Sequence, residues 1–182
     1  MKRLFWTAAM VACATVLILP SASASSLIGS TVTGTLYTPD LNTILGGPTT
    51  AVVGASTPTF PVGSILGNTP FSINITGNQI FYYPATTATY GVKPFNGFVF
   101  TFANAPTILG VSLDSASTFT PTGIWSTGNS VYLNLSGDSV RSTSVAVLDV
   151  QLQARPTPEP ASWALMLSSV GLIRAVRFRR NS

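Results

Sequence analysis

An all-β fold, a single antiparallel β-sandwich, is predicted by three features of the sequence between Ser25 and Gln153. Thr, Ser, Val, Ile and Phe dominate this region, while the strong helix formers Glu, Lys and Arg are nearly missing from it. Short runs alternate apolar with polar residues, which leaves each strand one dry face and one wet face. Gly and Pro interrupt the runs at intervals of about ten residues, the spacing of a chain that folds back repeatedly into two stacked sheets.

Taken in order, strands are expected over Ser30 to Tyr37, Thr50 to Val53, Phe71 to Ile75, Gln79 to Tyr83, Phe98 to Phe102, Thr107 to Leu113, Gly123 to Ser126, Ser130 to Leu135 and Ser144 to Leu152. Phe71, Ile73 and Ile75 share one face, as do Phe98, Phe100 and Phe102, and again Val131, Leu133 and Leu135. Gly77-Asn78, Gly128-Asn129 and Gly137-Asp138 follow apolar runs and offer the positive φ that a two-residue hairpin requires. From Pro39 to Pro70 the alternation is weak and Gly, Pro and Thr are frequent, which reads as long loops or an irregular edge.

The two ends of the chain have a different character. Lys2 and Arg3 precede an apolar run from Leu4 to Leu19, then Pro20, and then Ala22-Ser23-Ala24 as a small-residue cleavage site before Ser25. This is the pattern of a secretory signal peptide over residues 1–24, with Ala22 and Ala24 at the processing step. At the other end Pro156, Pro158 and Pro160 predict an extended, reachable linker at the start of a segment covering 154–182. The uncharged run from Ala161 to Ile173, with Trp163, Leu165, Leu167, Leu172 and Ile173, then forms a helix whose backbone groups are paired internally, so lipid is its fitting solvent. Its thirteen residues reach about 20 Å against a hydrocarbon thickness of about 30 Å. Spanning therefore requires continuation through Ala175, Val176 and Phe178, with Arg174 and Arg177 snorkelling and Arg179 and Arg180 completing a cytoplasmic basic tail.

Pro158-Glu159-Pro160, the apolar helix behind it and the Arg-rich end, on a chain with an export signal, resemble the sorting domain of bacterial PEP-CTERM proteins. The resemblance covers about 25 residues. It implies recognition of Pro158, Glu159 and Pro160 by a membrane-embedded exosortase and transient anchoring in the inner membrane. Removal of the tail would follow, with delivery to the cell surface or extracellular matrix of a Gram-negative bacterium that makes exopolysaccharide. Arg174 interrupts the apolar stretch early for this family, which suits transient rather than stable anchoring.

Charge and composition narrow the function of the central region. Six of the nine basic residues lie in the terminal signals, leaving Lys93, Arg141 and Arg155 against Asp40, Asp114, Asp138 and Asp149. The net charge of +4 therefore belongs to the targeting ends, and no nucleic-acid partner is expected. The lone cysteine, Cys13, falls in the signal peptide and histidine is absent, so neither a disulfide nor a Cys/His metal site is expected in the exported protein.

The chemistry available to a catalyst is correspondingly thin, and no enzyme activity and no cofactor are expected. Lys93 has no serine in a recognisable motif beside it. Asp114 with Asp138 or Asp149 is the carboxylate pair that glycoside hydrolysis would need. Calcium at Asp114 and Asp138 is the other use of these groups, although no Asp-x-Asp spacing supports it. Asp40 and Asp138 read first as turn residues, and Asp149, inside an apolar strand, as a wet-face carboxylate or a partner of Arg141 or Lys93.

Aromatic residues carry the binding hypothesis. Tyr82, Tyr83, Tyr90 and Trp125 are residue types that stack on sugar rings while neighbouring Asn and Thr meet the hydroxyls, with Tyr82, Tyr83 and Trp125 the candidates for contact. Adjacent strand residues point to opposite faces, so only one of Tyr82 and Tyr83 is expected outside. Asn74-Ile75-Thr76 and Asn134-Leu135-Ser136 match the N-glycosylation pattern at chance level for a bacterial chain. The sequence thus points to an exported surface or matrix structural protein associated with exopolysaccharide, with a secreted carbohydrate-binding module as the alternative.

Overall fold

The computed structural model describes residues 25–67 and 70–154. The signal-peptide, linker and C-terminal apolar segments predicted above lie outside the described residues. One compact unit spans Ala24–Arg155. It is all-β, and every ladder between its strands is antiparallel.

In chain order the strands are β1 (Thr31–Tyr37), β2 (Ile44–Val52), β3 (Phe71–Ile75), β4 (Gln79–Pro84), β5 (Ala88–Thr89) and β6 (Gly97–Ala103). They continue with β7 (Ile108–Leu113), β8 (Gly123–Thr127), β9 (Ser130–Asn134), β10 (Ser139–Val140) and β11 (Ala146–Leu152). A five-stranded sheet has the order β2-β1-β6-β9-β8, a four-stranded sheet the order β3-β4-β11-β7, and β10 and β5 form a two-stranded ribbon.

Alternation decides which side of each strand is buried. Val32 and Leu36 of β1, Phe98, Phe100 and Phe102 of β6, and Val131 and Leu133 of β9 are buried together with Ile73, Ile75, Leu148 and Val150 from the other sheet. Rings join the inner faces: Phe71 of β3 meets Phe98 of β6 edge-on with centroids 4.6 Å apart, and Phe60 stacks on Phe100 at 6.4 Å. Such aromatic pairs contribute about 0.5–1.5 kcal/mol each beyond their buried area. Gly34 on β1 makes room for this packing, because a Cβ there would come within 3.2 Å of the Phe60 ring.

Three local expectations are corrected. The strand expected from Thr50 starts at Ile44, and a register shift between Gly34 and Leu36 breaks the alternation that a period-two reading relies on. As an edge strand bonded only to β1, β2 tolerates Pro48, which has no N–H to give. Of the three Gly turns, Gly128 has φ +57° and begins a true two-residue hairpin between β8 and β9. Gly137, at φ +80°, instead closes a turn in which Asp138 N–H donates to Leu135 O, and this turn leads the chain out of the sheet towards β10. Gly77 is not among the positive-φ residues; its carbonyl accepts from Leu27 N–H at 2.6 Å and brings the first described residues against the β3–β4 turn.

Candidate glycan-contact face

The hairpin register builds the site. Thr127 faces Ser130 across the Gly128-Asn129 turn, so two residues further out Trp125 faces Tyr132, and two further again Gly123 faces Asn134. Ile124 and Leu133 take the inner positions, which leaves Trp125 and Tyr132 on the outer face of the five-stranded sheet. Their rings stack with centroids 5.0 Å apart and planes within 5°. Buried Phe95 meets the indole edge-on at 5.8 Å. A Cβ on Gly123 would touch Cζ3 of the indole at 3.4 Å, so the missing side chain there gives Trp125 its seat. Held on three sides, Trp125 remains 36% exposed.

One step along the strands runs a row of hydroxyls. Thr127 pairs with Ser130, Ser130 with Thr101, Thr101 with Thr33 and Thr33 with Thr50, so one hydroxyl residue from each of the five strands stands in line. Within the row Thr33 and Thr50 share a hydrogen bond of 3.1 Å, and Thr101 and Ser130 one of 2.9 Å. None of the five strands contains a charged residue. The face is therefore uncharged, with hydroxyls along one row, aromatic rings at β8 and β9, and exposed Val52 on β2 at the other edge.

No protein-family model, curated protein or solved structure matches the chain. The chemistry of this face is thus read from its own residues.

The other sequence candidates disperse. Tyr82, only 1% exposed, is corrected from a glycan contact to a core residue: it points inward from β4 and its hydroxyl shares a 2.6 Å hydrogen bond with Tyr90. Burial pushes both hydroxyls of this pair above the ordinary tyrosine range. Tyr83, 40% exposed, lies on the outer face of the four-stranded sheet, stacked parallel to Phe81 at 6.0 Å. Trp125 and Tyr83 thus occupy different sheets and form no common platform. A cleft of about 130 Å³ lined by Phe71, Tyr82, Pro84 and Tyr90 falls below the roughly 300 Å³ at which small-molecule sites begin.

Two aspartates do converge. Gln79 Nε2 donates to Asp149 Oδ1 at 2.8 Å and to Asp114 Oδ2 at 3.3 Å, so the amide of Gln79, rather than Arg141 or Lys93, answers the carboxylate inside β11. Asp114 Oδ1 is also held by Ala116 N–H at 2.6 Å. Asp40 accepts from Asn42 N–H at 2.9 Å, a bond that lowers its pKa, and Asp138 accepts from Thr122 N–H and its hydroxyl at 2.9 Å each. Both are turn locks.

Lys93 is clamped through its backbone, its N–H donating to Ser136 Oγ at 2.8 Å while that hydroxyl donates to Lys93 O at 2.6 Å. Among the described residues no group of three or more His, Cys, Asp or Glu side chains could hold a metal ion. Asn134 of the second glycosylation pattern is buried, with Oδ1 accepting from Asn96 N–H and Ser136 N–H, and so is withdrawn from modification.

The sequence reading missed Tyr132, Phe95 and the hydroxyl row. Tyr132 was recoverable, because a two-residue turn at Gly128-Asn129 already fixes Trp125 opposite it. The row was not, because it needs the order β2-β1-β6-β9-β8, which joins segments distant in sequence.

Proposed function

We propose that this is an exported cell-surface or extracellular-matrix structural protein, a non-enzymatic β-sandwich that associates with exopolysaccharide through the outer face of its five-stranded sheet. On this reading the N-terminal signal peptide directs export. Pro158, Glu159 and Pro160 present the tail to an exosortase while the apolar helix and its arginines hold the chain transiently in the inner membrane.

The observation that carries the polysaccharide role is the Trp125–Tyr132 stack beside a row of hydroxyls on a face without charge. The stack covers one face of each ring and fixes the pair in place, and the part of the indole that stays exposed offers apolar surface to the C–H face of a sugar at little cost in side-chain freedom. Threonine and serine hydroxyls both donate and accept, so they can meet sugar hydroxyls in either sense. The non-enzymatic reading draws support from Gln79, whose amide donates to both Asp114 and Asp149.

A secreted carbohydrate-binding module is the second reading, favoured by the same aromatic stack. The two separate in one experiment: retention of the exported protein on extracted exopolysaccharide, followed by a titration with defined glycans. Saturable binding to one glycan marks the module; retention by the bulk matrix without selectivity marks the structural protein. Loss of neither after Trp125→Ala and Tyr132→Ala removes this face from the function.

A further inference from the structure

We infer that the outer face of the five-stranded sheet takes an extended, neutral, β-linked polysaccharide running across the strands along the hydroxyl row from Thr127 to Thr50, one sugar unit to each strand. This rests on the polysaccharide reading above and adds the direction, length and charge of the ligand.

Direction follows from register. The hydroxyls of Thr127, Ser130, Thr101, Thr33 and Thr50 succeed one another through strand pairing, so the row runs perpendicular to the strands. Strand neighbours lie about 4.8 Å apart, which gives the five positions a span of about 19 Å. A sugar unit of an extended β-linked chain advances by close to one strand spacing, so successive rings meet successive hydroxyls without bending the ligand. A helical or strongly kinked polysaccharide would meet one or two and leave the rest.

The second row fixes the face of the sugar. Trp125 and Tyr132 run parallel to the hydroxyls of Thr127 and Ser130, two residues further along each strand, about 7 Å away; Val99 and Thr35, at the next register positions, are buried, so the aromatic row ends at β9. A chain lying between the rows has C–H groups towards the rings and hydroxyls towards the threonines. The bonds inside the row leave it competent: each bonded pair, Thr33 with Thr50 and Thr101 with Ser130, consumes one donor and one acceptor and keeps one donor and further lone pairs. Neutrality follows from the five strands, which offer an anionic polymer no cation and a cationic polymer no carboxylate.

The test titrates the purified exported protein with β-1,4-linked glucan oligosaccharides of two to six units by calorimetry. Affinity should climb with each unit up to five and then level off. Thr33→Val with Thr50→Val, isosteric changes at the far end of the row, should weaken the five-unit chain about ten-fold while leaving the two-unit chain unchanged. Thermal unfolding of that variant checks that the sheet is intact. Affinity that is flat with length, or a valine pair without effect while Trp125→Ala abolishes retention on exopolysaccharide, overturns the row and leaves the platform standing. Binding to none of the oligosaccharides also overturns it. Retention on exopolysaccharide that survives Trp125→Ala with Tyr132→Ala overturns the underlying reading instead, as does a dimer in solution that these substitutions dissociate, since a second copy would then be the occupant.

Discussion

Tyr82 and Tyr90 share a 2.6 Å hydrogen bond between their hydroxyls in the interior beside Phe71 and Phe98. Tyr82 is buried and Tyr90 half-buried, so losing either hydroxyl leaves the other partly desolvated without its partner. Tyr82→Phe and Tyr90→Phe should therefore each destabilise the protein by about 1–2 kcal/mol, and the double variant by less than the sum. Denaturant unfolding of the four proteins measures this coupling. Additive losses would contradict it.

The same pair predicts a base-sensitive fold. Both hydroxyls are shifted upward from 10.0, chiefly by burial. The folded state therefore holds these protons more tightly than the unfolded chain, so the contribution is complete below about pH 10 and is lost as the unfolded phenols ionise above it. Unfolding midpoints measured from pH 8 to 11 should fall beyond about 10, and the double phenylalanine variant should fall less steeply.

The backbone of β9 leaves no room for a side chain at Gly97 of β6. A Cβ there would stand 2.0 Å from Leu133 O, a backbone atom that cannot swing away. Gly97→Ala should cost at least about 2 kcal/mol by prising apart the ladder at the centre of the five-stranded sheet. Gly91→Ala, with open space around its Cβ, is the control and should be close to neutral.

The proposed sorting route predicts a mass. The exported form should lack residues 1–24 and everything beyond about Pro158. Deleting Pro158 to Pro160 should trap a longer species in the membrane fraction. Intact mass spectrometry reads both, and a mature protein that retains Phe178 would contradict tail removal.

Most of the fold was legible because its strands alternate. Phe71-Ser72-Ile73-Asn74-Ile75 was delimited by alternation alone, and β3 spans the same residues. The two-residue strands β5 and β10 are too short to show any period, and the bulge opposite Gly34 hid half of β2. The candidate site was legible in part: Trp125 and Tyr83 are exposed as single residues, but their placement on different sheets depends on long-range pairing. Alternation also separates Tyr82 from Tyr83, yet which of them faces inward is decided by the packing of Phe71 and Phe98 against Tyr82.

Retention of the exported protein on extracted exopolysaccharide, before and after the paired change Trp125→Ala and Tyr132→Ala, tests the central claim most directly. Folded variant protein that washes off where the parent stays bound is the predicted result. Equal retention of the two would contradict the assignment of polysaccharide contact to this face.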